Sequence, residues 1–501
     1  MNRRTFLTPS ALSGLAGTAG LISGCSSGSD SGRRGAPPLD LSAPLRIPPL
    51  LHPERDSDGV RRYELTMLAG NSELLPGTST ATWGFNGAFL GPTLRASRGE
   101  QVAMTVRNTL PEASTVHWHG MRLPAAMDGG PHQMVAPGAA WTPTWTIDQP
   151  AATTWYHPHP HGATAQHVYR GLAGLFILDD GHDPGLPTAY GVDDVPLILQ
   201  DKKFTADGAL NGDPLKDTFG ILGDRILVNG TYNPRFDVTT ERVRLRVLNG
   251  SNARLYHLVF ADRRRFHVVA TDGGLLTAPV ETDALALSPG ERAEIVVSFA
   301  PGDNVVLRTL DNGVDLAKGD FDLIRFVADG RPAPSPPLPA AFAAFTPIVP
   351  PADAKVRRFT LNGHDAVNGR PMDMSRIDEV VPAGAVEIWE IENNVYSHNF
   401  HIHEVAFQLL DSGGKPASGY AGGHKDTVFV PGKSTVRLAV RFGTFTDPSA
   451  AYMYHCHILR HEDSGMMGQF VIVEPGTEDT APRTLPPAGT GTSHQHGNTE
   501  R

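Results

Sequence analysis

A chain of 501 residues is too long for one hydrophobic core, so two to four domains are expected. Its 53 Gly, 42 Pro and moderate charge are the composition of a soluble, turn-rich β protein, and no apolar run of 18 residues follows the leader. A formal net charge of −10 argues against a nucleic-acid binder, which needs clustered Lys and Arg, and two cysteines, Cys25 and Cys456, argue against a disulfide framework.

In chain order, Met1-Asn2-Arg3-Arg4-Thr5-Phe6-Leu7 and the weakly apolar stretch to Ile22 read as a twin-arginine export signal, although paired arginines also open ordinary secretory leaders. Ile22-Ser23-Gly24-Cys25 resembles a bacterial lipoprotein cleavage box with Cys25 as the lipidated residue; an ordinary small-residue cleavage site is the alternative. Residues 26–38, rich in Ser, Gly and Pro, read as a flexible tether. Signal and linker together take residues 1–45. The expected location is periplasmic or cell-surface, with membrane attachment only through lipid on Cys25.

A repeat follows. Val102, Met104, Val106 and Asn108 recur as Val243, Leu245, Val247 and Asn249, with a weaker echo in Trp389, Ile391 and Asn393. The asparagines stand 141 and 144 residues apart, one domain each, and the strands between Gly, Pro and Asn turns are those of a β-sandwich. The expected domains are 46–183, 190–330 and 353–475, with a Pro-rich linker at 331–352 and a disordered tail at 476–501. His257 and His267 in the second domain are single and read as packing or surface residues. His494 and His496 in the tail have no assigned role.

Three histidine pairs share a period-two spacing: His117-Trp118-His119, His157-Pro158-His159 and His401-Ile402-His403, the last preceded by His398. His455-Cys456-His457 is the fourth. On a strand, residues two apart share a face, so each pair would present both rings to one face, as ligands converging on metal require, while Cys456 would point the other way. His461 and Met466 follow on the same short loop. Two His, one Cys and a weak axial Met make a blue-copper site. Four pairs give eight imidazoles, the number for a three-copper cluster in which two coppers take three His each and one takes two. His398, Cys456, His461 and Met466 remain for a fourth copper.

These stretches resemble the multicopper oxidases of the bacterial laccase, cuprous-oxidase and bilirubin-oxidase type. Thr115 to Gly120, Trp155 to Gly162, His398 to His403 and His455 to Met467 carry the resemblance, which covers roughly residues 60 to 475. It implies an all-β chain of three consecutive cupredoxin-like Greek-key sandwiches, and four coppers. By motif position, His398, Cys456, His461 and Met466 would take type 1 copper, and His117 and His401 type 2. His119, His157 and His457 would hold one type 3 copper, and His159, His403 and His455 the other. The three-copper cluster would sit between the first and third domains. Electrons from an outside donor would enter at type 1 and pass through Cys456 to the cluster, where dioxygen becomes water. Axial Met466 implies a type 1 potential in the lower part of the family's range. Asp128 resembles the acid near type 2 copper and Glu462 the acid leading to the type 3 pair, the proton suppliers that dioxygen reduction requires. His161, with the strand parity of His157 and His159, would be a supporting hydrogen-bond residue.

The donor is less sharply marked. The 11 Met are scattered, and Asn394 and Tyr396 stand where the cuprous-oxidase pattern has Asp and Met. A laccase-like oxidase of phenols or aromatic amines, monomeric, is therefore expected. A metal-ion oxidase for cuprous, ferrous or manganous ions is the alternative. A copper nitrite reductase has two such domains and lacks the eight-His set, and a non-enzymatic scaffold on the same fold loses the copper ligands.

Overall fold

The repeated asparagine closes an equivalent strand in each third of the molecule. The computed structural model describes residues 40–485 apart from 56, 57, 183, 343 and 344. Arg3, Arg4, Cys25, His494 and His496 lie outside the described residues. Strands Gln101–Asn108, Arg242–Asn249 and Val386–Asn393 carry the repeat. Each runs parallel to one neighbour, respectively Arg61–Ser72, Asp194–Lys202 and Val356–Leu361. Period two puts Val102, Met104 and Val106, Val243, Leu245 and Val247, and Trp389 and Ile391 on core faces, where all are buried. The Asn side chain then serves the strand end. Its Oδ1 accepts the N–H two residues on, at Leu110, Ser251 or Val395. Its Nδ2 donates to carbonyls across the turn: Glu112 and Val135, Arg254 and Leu287, or Tyr396, Val430 and Pro431. A buried strand end must satisfy its backbone groups, and a short amide does so locally.

The chain is all-β, with three consecutive sandwiches. The first stacks the sheet around Arg61–Ser72 and Gln101–Asn108 on a four-stranded sheet ordered Leu94–Ser97, Gly174–Asp179, Ala152–His157, His117–His119. Tyr63, Met67, Trp118, Tyr156 and Phe176 fill the space between them. The second packs a seven-stranded on a six-stranded sheet around Val195, Leu197, Val247, Phe260 and Phe326. The third packs the sheet around Val386–Asn393 on Glu379–Pro382, Met467–Val473, Tyr452–His455, His398–Ile402 and Thr427–Val430, with Trp389, Phe400, Tyr454 and Cys456 in one core. Non-consecutive strands are neighbours throughout, as Greek-key crossovers require.

Two expectations are corrected at the chain's edges. Ala43–Pro44, assigned to the flexible linker, pairs in parallel with Pro234 and Arg235 on the second sandwich. The first part of the tail is docked: Leu485 N–H donates to Ser375 O (2.7 Å), Ile377 N–H to Arg483 O (2.9 Å), and Arg376 bridges Thr484. The linker at 331–352 is held as well, with Arg242 donating to the carbonyls of Ser335 and Pro336 and Phe342 packed on Leu186, Val269 and Val296. Backbone polar groups near a sheet edge find partners there, which composition alone does not reveal.

Candidate metal centres

His455, Cys456 and His457 stand where strand Tyr452–His455 runs out, and the two donor groups lie on either side of this tripeptide. On one side, His398 Nδ1 and His461 Nδ1 are 3.1 Å apart, and Cys456 Sγ lies 3.5 and 3.4 Å from them. All three are fully buried. Met466 is buried in the same core and pinned on both sides: its N–H donates to His461 O (2.9 Å) and its carbonyl accepts Cys456 N–H (3.1 Å). His461 Nε2 donates to Thr218 O of the second sandwich (2.8 Å), which turns Nδ1 inward. Burial pushes the Cys456 thiol up to about 12, so a bound cation is what would hold it as thiolate.

On the other side eight imidazoles meet, four from the first sandwich and four from the third. The rings interleave across the interface: His119 stacks on His401 (centroids 3.7 Å) and His117 on His403 (3.8 Å). Second partners fix which nitrogen faces inward. The Nδ1–H of His117 goes to Asp128 O, of His401 to Asp426 O, of His157 to Pro158 O, and of His455 to Cys456 O. His403 Nδ1 donates to Asp128 Oδ2 (2.7 Å). His119 is reversed, with Nε2 on Asp426 Oδ1 (3.0 Å) and Nδ1 inward. The inward Nε2 of His117, His157 and His401, Nδ1 of His119 and both nitrogens of His457 have no protein partner among the described residues.

These orphaned nitrogens test whether a metal fits. His455 Nε2 lies 3.1 Å from His159 Nε2 and 3.2 Å from His403 Nε2. Since His455 and His403 spend their protons on Nδ1, those two Nε2 atoms face each other as lone pairs. Burial, the largest cause, holds His119, His157, His159, His401, His403 and His455 well below the ordinary imidazole value, so protonation does not relieve the contact. Buried lone pairs converging on one space fit cations, and neutral imidazole with thiolate suits copper.

Two acids flank the imidazoles. Asp128 caps the short helix Ala125–Met127, and Gly129 after it is obligatory: φ is +78° and a Cβ would run into the Val116 carbonyl. Glu462, on helix Leu459–Asp463, places Oε1 3.3 Å from His159 Nδ1 and Oε2 3.3 Å from His455 Nδ1. Its carboxylate is buried without a hydrogen-bond partner among the described residues, and burial, then Asp463, raises it well above the usual carboxyl range. Asp463 accepts the Thr164 and Ala165 N–H groups (2.8 Å each) of helix Thr164–Arg170.

Several site expectations change in detail. Of the four pairs, only His117–His119 lies wholly within a strand; the other three straddle strand ends. Pro158 cannot donate to a ladder, so strand Ala152–His157 stops before it. For the same reason strand parity does not reach His161, which is exposed at the turn before helix Thr164–Arg170 and is no support for the ligands. The support comes instead from Asp426, which sequence reading missed; an Asp between Lys425 and Thr427 carries no periodic signal.

An all-β chain with a buried Cys–His pocket beside an eight-imidazole cavity belongs to the cupredoxin-based copper proteins. Three multicopper oxidase family models match residues 67–183, 197–313 and 345–476. The chain is 35% identical over 435 residues to multicopper oxidase mco of Staphylococcus aureus, covering 86% of this chain and 92% of that one. It is also 35% identical over 465 residues to cell division protein FtsP of Escherichia coli, covering 87% and 95%. The structure of a laccase from Pediococcus acidilactici superposes with a TM-score of 0.81 at 38% identity, covering 86% of this chain and 94% of that one. The chain belongs to the multicopper oxidase family, and is an oxidoreductase with dioxygen as acceptor.

Proposed function

We propose that this chain is a laccase-like oxidase holding four coppers, with His398, Cys456, His461 and Met466 at type 1 and His117 and His401 at type 2. His119, His157 and His457 hold one type 3 copper; His159, His403 and His455 hold the other. The observation that supports this is one buried group of His398, Cys456 and His461 and another of eight imidazoles, on either side of one tripeptide, with Met466 in the same core as Cys456. It also supports an enzyme over a non-enzymatic scaffold, because orphaned buried nitrogens cost stability unless a metal uses them.

Copper in these sites supplies one-electron acceptance from a donor and four-electron reduction of dioxygen to water. The chain's part is geometry and protons. Cys456 is joined through its own backbone to His455 and His457, so the two donor groups are linked covalently. Asp128 and Glu462 flank the cavity, each beside the outward nitrogen of a ligand. Glu462, whose carboxyl burial raises well above the usual range, is placed beside two ligand imidazoles to pass a proton to the cavity. At the donor face, half-buried Tyr396 lies 5.2 Å from the His398 ring and 5.9 Å from the His461 ring, and Phe219 packs edge-on against it (5.0 Å). An aromatic rim supports phenols or aromatic amines over a dedicated metal-ion donor. A steady-state comparison of Cu(I), Fe(II), Mn(II) and a phenol on copper-loaded protein should rank the phenol first in kcat/KM. A cuprous or ferrous preference would replace this reading with metal-ion oxidation.

The proposed location is outside the cytoplasm, after twin-arginine export as a monomer anchored by lipid on Cys25. Acyl chains contribute about 0.8 kcal/mol per buried CH₂, and stable anchoring takes more than one. Cys25→Ala should release active enzyme from washed membranes with unchanged colour and turnover. A wild-type protein found soluble with its N-terminus beyond Cys25 would leave only the export reading.

A further inference from the structure

The second sandwich contributes none of the twelve proposed donors, yet its turn at residues 288–292 packs on the His457 ring and, through Asn399, bonds the strand that carries His398. Asn399, beside His398, donates Nδ2 to Pro289 O (2.7 Å) and Ser288 Oγ (3.3 Å), and its Oδ1 accepts the His457 N–H (2.8 Å). Gly290 lies against the His457 ring, where a Cβ would come within 3.2 Å of three ring atoms. Arg292 is fully buried, and all five of its donors are used. It forks onto Asp426, Nη1 to Oδ1 at 2.7 Å and Nη2 to Oδ2 at 2.6 Å. Its other hydrogens go to Thr153 O (3.0 Å) on the first sandwich, and to Gly290 O (3.0 Å) and Asp272 O (3.1 Å) on its own. Asp426 passes the constraint on: Oδ1 accepts His119 Nε2 (3.0 Å) and Thr427 Oγ1 (2.9 Å), and its carbonyl accepts His401 Nδ1 (2.8 Å). His119 and His401 are the stacked pair that joins the first and third sandwiches.

A buried ion pair stabilises little, because desolvation offsets most of the Coulombic gain. What the Arg292–Asp426 pair supplies is direction. A carboxylate clamped in a bidentate fork cannot rotate, so it sets both the tautomer and the orientation of His119. The same residue's carbonyl sets His401. We propose that Arg292 and Asp426 are positioning residues: through them the second sandwich fixes where His119 and His401 aim their inward nitrogens, and so the geometry of type 2 copper and its type 3 neighbour. This inference rests on the copper assignment above.

The test uses the full copper-loaded chain carrying Arg292→Lys or the isosteric Asp426→Asn. Arg246→Lys is the control, since Arg246 makes a like buried network with Asp194, Glu294 and the Thr153 hydroxyl that bonds no histidine among the described residues. Arg292→Lys and Asp426→Asn should retain the type 1 blue band but shift the type 2 paramagnetic resonance hyperfine pattern. They should also hold type 2 copper about 10–100-fold more weakly against a chelator. Arg246→Lys should leave both readouts at the parental value. If Arg292→Lys does not fold, Asp426→Asn alone decides. A type 2 signal and copper retention indistinguishable from the control would overturn the positioning role. Parent protein lacking the type 2 signal would instead overturn the copper assignment.

Discussion

The two donor groups are built differently, and the difference separates local from tertiary design. All four residues proposed for type 1 copper lie in the third sandwich, three of them within one stretch of twelve, 455–466, whose backbone ties Met466 to both Cys456 and His461. The eight-imidazole cavity exists only where two sandwiches meet, its rings interleaved in pairs whose members are 286 residues apart for His117 with His403 and 282 for His119 with His401. The first pocket therefore draws all its donors from one domain, with Thr218 of the second sandwich only turning the His461 ring. The second requires correct docking, and metal bound there would cross-link domains and stabilise the native state by linkage.

Substitutions on one side of the tripeptide should leave the other side intact, and three of them probe that independence. The largest effect is expected from Cys456→Ser. The thiolate charge-transfer band and donor oxidation should vanish while much of the cluster copper stays, read by absorbance and metal analysis. A serine variant that still oxidises donors at the normal rate would sink the electron-entry assignment. On the cavity side, Glu462→Gln should keep copper content and type 1 reduction but slow reoxidation by dioxygen roughly 10²–10⁴-fold, as for a positioned proton donor. Rapid reoxidation in stopped flow would show that another group carries the protons. The smallest effect belongs to Met466→Leu, which conserves volume and should cost less than about 1.5 kcal/mol of stability. The blue band should persist while the type 1 potential rises; an unchanged potential in a redox titration would remove Met466 from the axial position.

Much of the site was legible because copper donors are chemically distinctive and were spaced in recognisable pairs. The strand-parity argument for those pairs was only partly right, since His159, His403 and His457 lie beyond strand ends and converge by turns. It misled at His161. Asp128 and Glu462 were legible only through family resemblance, since nothing in a lone Asp or Glu marks it as buried beside an imidazole. Asp426 and Arg292 carried no signal: they are ordinary charged residues 134 positions apart, in different sandwiches, and matter because they meet.

The sequence by itself determined the threefold repeat, because alternating apolar residues and a strand-ending Asn act through local backbone geometry. It likewise determined the identity and order of the residues proposed as copper donors, because ligand chemistry resides in the side chain. Tertiary structure alone decided which nitrogen of each imidazole faces the cavity, which rings stack, and which acids hold them. Those outcomes depend on second partners brought in by domain docking, and contacts between residues hundreds of positions apart leave no periodic trace in the chain.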